Sequence, residues 1–501
     1  MGFKTYTCPI AKSCGGCEWL AVPYPIQLKR KRDAVLQLFA DVLPSGTTAQ
    51  QREELVPIYG MDTDGMEPTG YRHKAATPFA PGKRGSIRSG FYARGTHRIV
   101  PCAGCVVEAP HAREALLAVA RAAEELRIPA YDEDHGRGLL RHAIVRMGYA
   151  TDEALLTVIT NGGRIARERQ FVERIRARAP FVTAIAQNVN QRRTNAILGH
   201  ETRALYGGGR MVDGLLDCEF EIGPTSFYQT NPAQTEVLYS LAIEGARLER
   251  GMRVLDAYCG IGTIGMCAAK QVDGLAVVGV EQVEGAVANA RANARRNGLA
   301  DRCKFVCADA TSYMRDVARA GREGFDAVIM DPPRAGSTPT FINGVLGLAP
   351  ERVVYVSCNP GTQRRDLQLF LDGGYDIESL EVVDMFPHTK HAETVAVLTR
   401  EKSVKSYAYV NISSSELGMG GKVKKPTYKQ IQEYVLKNHG LKVSSLYIAN
   451  LKDELGLDKQ FSYEEAEMSA EKRPKCPPEK REAILDAFRH FGLIREDETE
   501  K

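Results

Sequence analysis

The chain has no run of about 18 consecutive apolar residues, which excludes a conventional membrane-spanning helix, and its opening Met-Gly-Phe-Lys-Thr-Tyr-Thr-Cys lacks the apolar core of a secretory signal. A myristoylation start is lacking as well, because Tyr6 stands where that signal requires Ser or Thr. These absences predict a cytoplasmic protein. Strong charge of either sign is also missing. With a net charge of only +4 over 501 residues, any affinity for nucleic acid has to come from local patches. Internal repeats are absent. What is present is a 44% hydrophobic content, enough to fill the cores of the roughly three domains that the length suggests.

Twelve cysteines in a cytosolic chain argue for metal binding, catalysis or plain burial rather than disulfides. Three of them form Cys8-x5-Cys14-Gly-Gly-Cys17, and Cys102 and Cys105 follow much later. Packing as small hydrophobes suits Cys218, Cys267 and Cys303 but not thiols in a glycine-rich polar loop. Cys14, Cys17, Cys102 and Cys105 would make two zinc knuckles, whereas Cys8, Cys14, Cys17 and one of the later pair would suit an iron–sulfur cluster. Spacing leaves both open.

Basic usage changes near residue 400. The first 400 residues hold 39 Arg and 9 Lys, and residues 401–501 hold 4 Arg and 14 Lys, as expected of an appended module. The Ser/Gly-rich stretch 411–421 reads as a flexible linker. Beyond it, Thr427, Ser444 or Ser445, and Pro478 mark the starts of short amphipathic helices. Two basic stretches lie nearer the start. Lys29–Arg32 reads as a solvated helix face, whereas residues 83–98 mix Arg84, Arg88, Arg94 and Arg98 with Phe91 and Tyr92, a blend suited to phosphates and unpaired bases.

From about residue 250 strands and helices alternate. Arg253-Val-Leu-Asp256 leads into Gly260-x-Gly262-x-x-Gly265, a dinucleotide-type turn, and a predicted strand Leu275–Val280 delivers Glu281. That signal fits NAD and S-adenosylmethionine (SAM) equally. Asp309 follows a third strand, where it can accept from an adenine amino group, and Asp331-Pro-Pro-Arg334 ends a fourth as a rigid wall between cofactor and substrate. Hydride transfer needs no such wall, whereas methyl transfer to a planar base uses one.

Val353-Val-Tyr-Val-Ser-Cys358-Asn-Pro360 then brings a cysteine to the carboxyl end of the next strand, the usual place for reactive groups in an open α/β sheet. C5 of uracil is a poor nucleophile until a thiolate adds at C6, and a base must afterwards remove the C5 proton. Cys358 suits the first role and Glu393 the second, with Lys390, His388 or Arg334 available to lower the thiol pKa.

These motifs, with Gly70-Tyr-Arg72-His73-Lys74, Gln187-Asn-Val-Asn190, Ser226-Phe-Tyr-Gln229-Thr-Asn231-Pro232 and His391-Ala-Glu393-Thr394, resemble the bacterial RNA 5-methyluridine methyltransferases over roughly residues 8–400. The family contains iron–sulfur 23S rRNA (uracil-C5)-methyltransferases and the tRNA (uracil-5)-methyltransferase. The resemblance implies an α/β fold: a SAM-dependent Rossmann-like methyltransferase domain, preceded by an α+β RNA-binding and cluster region and followed by a small helical domain. It implies SAM contacts at Gln229, Tyr258, Thr263, Glu281, Asp309 and Asp331, Cys358 as nucleophile and Glu393 as base. It also selects a [4Fe-4S] cluster on Cys8, Cys14, Cys17 and Cys105, the distance to Pro110 favouring Cys105 over Cys102. The cysteine quartet resembles the rRNA branch, so 23S rRNA is the expected partner, with a tRNA T-loop methyltransferase or a non-catalytic iron–sulfur RNA-binding protein as the alternatives, for a monomer with no membrane contact. Many relatives carry a small β-barrel ahead of the cysteines, which the position of Cys8 predicts to be absent here. The expected organisation is 1–110 cluster and RNA-contact region, 111–240 central RNA-binding region, 241–400 catalytic domain, 401–425 linker and 426–501 helical accessory domain.

Overall fold

The structure is a computed structural model and describes residues 6–43, 55–61, 68–320, 324–400, 428–443, 447–448, 451–452, 476–491 and 493. The expected linker 401–425 and the helix starts Thr427, Ser444 and Ser445 lie outside the described residues. The chain divides into two units, Met1–Val404 and Lys405–Lys501.

In the first unit an eight-stranded sheet runs in the order Ile58–Tyr59, Tyr375–Val383, Glu393–Arg400, Arg352–Ser357, Ala327–Met330, Arg253–Ala257, Ala276–Glu281 and Cys303–Cys307. All neighbours are parallel except that Glu393–Arg400 runs antiparallel to both of its own. Parallel strands are covered on both faces, so their sequences are apolar throughout rather than alternating. Arg352–Ser357 shows this, with all six residues buried. Leu238 and Met266 cover one face and Phe341, Leu367 and Phe370 the other, from helices Pro232–Ala246, Thr263–Gln271, Pro339–Leu348 and Pro360–Asp372. This is a doubly wound Rossmann-like sheet. Its crevice opens where connections from Arg253–Ala257 and Ala327–Met330 leave in opposite directions.

A second, seven-stranded sheet has the order Ile99–Pro101, Ile87–Tyr92, Lys74–Pro81, Leu140–Met147, Ala154–Thr160, Ala184–Val189 and Glu201–Tyr206. Its strands come from both sides of residue 110, so the segments 1–110 and 111–240 share one sheet. Helices Ala112–Glu125 and Glu168–Arg178 cover one of its faces through Leu116, Val119, Phe171 and Ile175. The short strand Ile58–Tyr59 belongs instead to the catalytic sheet.

The Lys29–Arg32 stretch does lie on a helix, Tyr24–Leu38, and Lys29 pairs with Asp33 at 3.3 Å. Lys31 departs from the solvated reading. It is fully buried, bonded to Asp384 and to the Phe386 carbonyl at 3.0 Å. In the second unit, helices Tyr428–His439 and Pro478–His490 share a core of Ile431, Val435, Ile484 and Phe488, and His439 meets Asp486 at 2.7 Å.

Candidate active site

The cofactor-type turn follows strand Arg253–Ala257. Tyr258 takes a left-handed backbone (φ 64°), which a bulky residue adopts only where its surroundings enforce it. Gly262 (φ 81°) starts the helix, and a Cβ on Gly265 would meet the Asp256 carboxylate at 2.8 Å. That carboxylate instead accepts the Gly265 N–H at 2.9 Å, and burial pushes its pKa up to about 7. Glu281 accepts N–H groups of Gly260 (3.2 Å) and Val283 (2.8 Å), and Asp309 accepts from Ser312 (2.9 Å).

One cavity of about 790 Å³ joins these elements. Gln229, Tyr258, Glu281 and Asp309 line it together with Asp331, Cys358 and Glu393. Of the expected cofactor contacts only Thr263 is off its wall, buried with its hydroxyl 2.9 Å from that of Tyr239.

The Asp331 turn and the Cys358 turn are held together. Asn359 caps helix Pro360–Asp372 by accepting the Gly361 N–H, and its amide donates to the Arg334 carbonyl at 3.1 Å. Behind them Asp366 accepts the Ser337 N–H and the Tyr355 hydroxyl, both at 2.7 Å. A Cβ on Gly336 (φ 83°) would strike Asp366 at 2.6 Å, which explains the glycine after Asp331-Pro-Pro-Arg-Ala.

Electrostatics divide the cavity. Glu393 is only 3% exposed, and burial, then the Asp331 charge, raises its pKa to about 8. Burial raises Asp331 to about 7. Cys358 is pushed up to about 11 by burial and then by Glu393 and Asp331, with Arg334 pulling the other way. Of the three cations expected to lower this thiol, Arg334 lines the cavity and pulls the thiol down. His388 is wholly buried and turned away, with Gln27 Nε2 3.2 Å from its Nδ1 and the Pro68 carbonyl 2.7 Å from its Nε2.

His388 joins the site to the cysteine loop. Its backbone N–H donates to Gln27 Oε1 at 2.8 Å, its carbonyl accepts the Trp19 N–H at 2.9 Å, and Tyr71 donates to the Pro387 carbonyl at 2.8 Å. The segment before Glu393 is therefore braced by residues that follow Cys17.

Cys8, Cys14, Cys17, Cys102 and Cys105 line one small cavity of about 30 Å³. Burial, then the Cys105 and Cys14 charges, raises the Cys17 thiol to about 12, and the Cys8 charge acts on both Cys14 and Cys17. Cys102 is turned aside, its Sγ donating to the Gly104 carbonyl at 3.1 Å. Among the described residues no three donors are placed to grip a single metal ion. A polynuclear cluster spreads its thiolates over several iron atoms, and its cationic iron would relieve their mutual repulsion, so the donor set fits such a group.

The stretch 83–98 divides by residue type. Arg84, Arg88, Arg94 and Arg98 are exposed, and Arg94 pairs with Glu18 at 2.6 Å. Its rings are already engaged, Phe91 under Arg113 (4.6 Å) and Tyr92 against His97 (5.4 Å). An aromatic to which the sequence assigned no role, although it lies in the Ser226–Pro232 motif, is free: Phe227, on the cavity wall, is 67% exposed. A lone aromatic in a loop carries no periodic signal, and its exposure on the cavity wall is what suggests a role.

A doubly wound Rossmann-like sheet with acids and a thiol gathered at its carboxyl edge is the architecture of the SAM-dependent methyltransferases, and the relatives of this chain place it among them. Residues 216–401 match the family described as tRNA (Uracil-5-)-methyltransferase. An uncharacterized RNA methyltransferase of Halalkalibacterium halodurans is 40% identical over 392 residues, 78% of this chain and 82% of the relative, and one from Staphylococcus aureus is 38% identical over 391 residues, 78% and 83%. The Pyrococcus abyssi tRNA (uracil-54, C5)-methyltransferase, solved with S-adenosyl-L-homocysteine, superposes with a TM-score of 0.60 at 27% identity, covering 75% of this chain and 83% of that one. The chain belongs to the SAM-dependent RNA (uracil-C5)-methyltransferase family. No helix among the described residues is long and apolar enough to cross a membrane.

Proposed function

We propose that the protein methylates C5 of a specific uridine in 23S rRNA, with Cys358 as nucleophile and Glu393 as base. The observation that carries this reading is that Cys358, Glu393 and Asp331 line one cavity at the carboxyl edge of the sheet. C5 and C6 are unreachable in a stacked helix, so the uridine is extruded into that cavity. Cys358 sulfur bonds to C6, and the C5=C6 electrons move toward O4 as an enolate. The enolate electrons return through C5 to the methyl carbon of SAM as that carbon's bond to the sulfonium sulfur breaks, its electron pair staying on sulfur in the departing S-adenosylhomocysteine. Glu393 takes the C5 proton, and the electrons left behind re-form C5=C6 as the C6–S bond breaks.

The charges that raise Glu393 and Cys358 are carboxylates, so a cationic co-substrate offsets them and favours the ionised forms that both roles need. Arg334 and the N-terminus of helix Pro360–Asp372 pull Cys358 the same way. Glu281 and Asp309 suit ribose and adenine contacts, with Gln229, Tyr258 and the Thr263 turn completing the cofactor site.

Cys8, Cys14, Cys17 and Cys105 are the proposed ligands of a [4Fe-4S] cluster. The cluster's contribution is structural, tying down the loop that braces His388. The cysteine quartet supports the rRNA branch, and the likeness to the P. abyssi enzyme supports tRNA as the second reading. A cytoplasmic monomer suits both, and the helical unit at 426–501 is an added grip on RNA. The test is incubation of anaerobically purified protein with SAM and unmodified 23S rRNA or tRNA transcripts, followed by mass spectrometry of the nucleosides. 5-Methyluridine in rRNA alone supports the proposal, and in tRNA alone it replaces the target.

A further inference from the structure

The cavity has a second charged wall, which the chemistry above does not use. Opposite in sign to the Glu281, Asp309, Asp331 and Glu393 side, Arg72 and Lys74 line it from the start of strand Lys74–Pro81. Arg146 lies directly across the sheet ladder from Lys74 and is 5% exposed. Like charges directly opposite one another on neighbouring strands destabilise a sheet, and burial adds to that cost. No carboxylate compensates. Neither Arg72 nor Lys74 forms an ion pair among the described residues, and the Nε atoms of Arg72 and Arg146 are buried without hydrogen-bond partners. Arg146 donates only to the Ser226 carbonyl. Glu108, the acid that feels Arg72, is already held by Arg113, and the Arg72 charge also reaches Cys17, whereas among the described residues no acid faces Lys74.

Resting on the RNA-substrate reading, we propose that Arg72 and Lys74, backed by the buried Arg146, form a phosphate subsite that grips the RNA backbone beside the extruded uridine. Two half-buried cations on the wall of a substrate cavity, with no ion-pair partner of their own among the described residues and a third, buried cation behind them, are matched by a ligand that brings negative charge with it, and guanidiniums fit phosphate oxygens bidentately. Position supports the assignment: the backbone of His73, between Arg72 and Lys74, donates to the Thr230 carbonyl at 2.8 Å, next to Gln229 on the cavity wall. Burial followed by Arg146 and Arg72 holds Lys74 down at about 8, so an arriving phosphate would strengthen its charge.

The test uses the full chain and the Lys74→Met and Arg72→Gln variants. A short fluorescein-labelled oligouridylate is titrated by anisotropy over a salt series, SAM is titrated by calorimetry, and thermal unfolding is followed in parallel. Removing a half-buried cation that has no ion-pair partner among the described residues leaves Tm unchanged or raised. Each variant should bind the oligonucleotide about five- to tenfold more weakly, with the salt slope smaller by about 0.7 per lost contact, and SAM affinity unchanged. Unaltered oligonucleotide affinity and slope overturn the proposal. So does loss of SAM affinity, which would assign the cations to the cofactor carboxylate, or a lowered Tm, which would make them structural. A fall in kcat with RNA affinity intact would assign Lys74 to the uracil enolate instead. None of the binding readouts needs methyl transfer, so failure of the uracil-C5 reading would show in nucleoside analysis with these differences intact.

Discussion

Glu393 is, after burial, the strongest influence holding the Cys358 thiol up near 11, so the proposed base and nucleophile are electrostatically coupled across one cavity. Neutralising the carboxylate removes that influence. In Glu393→Gln the thiol should titrate lower than in the parent, with the difference visible above about pH 8, where the parent Glu393 is ionised. The measurement is the pH dependence of Cys358 alkylation by iodoacetamide, corrected with Cys358→Ala. With RNA and SAM, Glu393→Gln should accumulate a protein–RNA adduct stable to denaturing electrophoresis, because the step that expels sulfur waits on proton removal. Normal turnover in Glu393→Gln would remove it from the base role, and activity in Cys358→Ala would remove the covalent route altogether.

Protons should leave when SAM binds. Near pH 7 the unliganded site holds protons on Asp331, whose pKa is near 7, and on Glu393, near 8. A sulfonium cation lowers both, so the acids ionise as it docks. Calorimetric enthalpies measured at pH 7 in buffers of different ionisation enthalpy should show net release, shrinking at pH values well above 8 where both acids are already charged. Glu393 is the more fully protonated of the two at pH 7, so Glu393→Gln should remove the larger share of the release and Asp331→Asn a smaller but measurable one. Release of the parent's size in both variants would place the titrating group elsewhere.

Much of the catalytic half is legible because its signals are local. Apolar runs ending in Glu281, Asp309, Asp331 and Cys358 put each acid or thiol at a strand's carboxyl end, and the strand expected at Leu275–Val280 appears as Ala276–Glu281. What stays hidden depends on partners distant in sequence. Lys31 sits in a basic run that reads as solvated, and only its packing against Asp384 reveals it as buried. His388 reads as an active-site cation, yet Gln27 and Pro68 take both of its ring nitrogens. Arg146 gives no hint at all, since a lone arginine in an apolar strand looks like any other until its neighbour across the ladder proves to be Lys74.

The thiol ring yields a prediction that does not depend on activity. Cys17 feels Cys105, Cys14 and Cys8, whereas Cys102, which also feels Cys105, turns its Sγ to the Gly104 carbonyl. Protein purified without oxygen should carry about four irons per chain with broad visible absorption. Cys17→Ser and Cys105→Ser should each lose most of the iron, whereas Cys102→Ser should keep it. Iron retained in Cys105→Ser but lost in Cys102→Ser would exchange the two ligands, and bound zinc without iron would discard the cluster.

The Lys31–Asp384 pair ties helix Tyr24–Leu38 to the segment that leads toward Glu393, and both side chains are fully buried. Removing one partner leaves an uncompensated charge inside the protein, at a cost of about 3–5 kcal/mol. Lys31→Met should therefore lower the urea midpoint sharply, and Asp384→Leu should do the same. Joining them removes both charges at once, so Lys31→Met/Asp384→Leu should recover most of the loss, because replacing a buried pair by apolar side chains is close to neutral. Additive losses in the double variant would show that each residue is held by contacts other than its partner. If the brace matters to catalysis as well, the rescued double variant should still methylate more slowly than the parent, since the Phe386 carbonyl has lost the donor that fixes it.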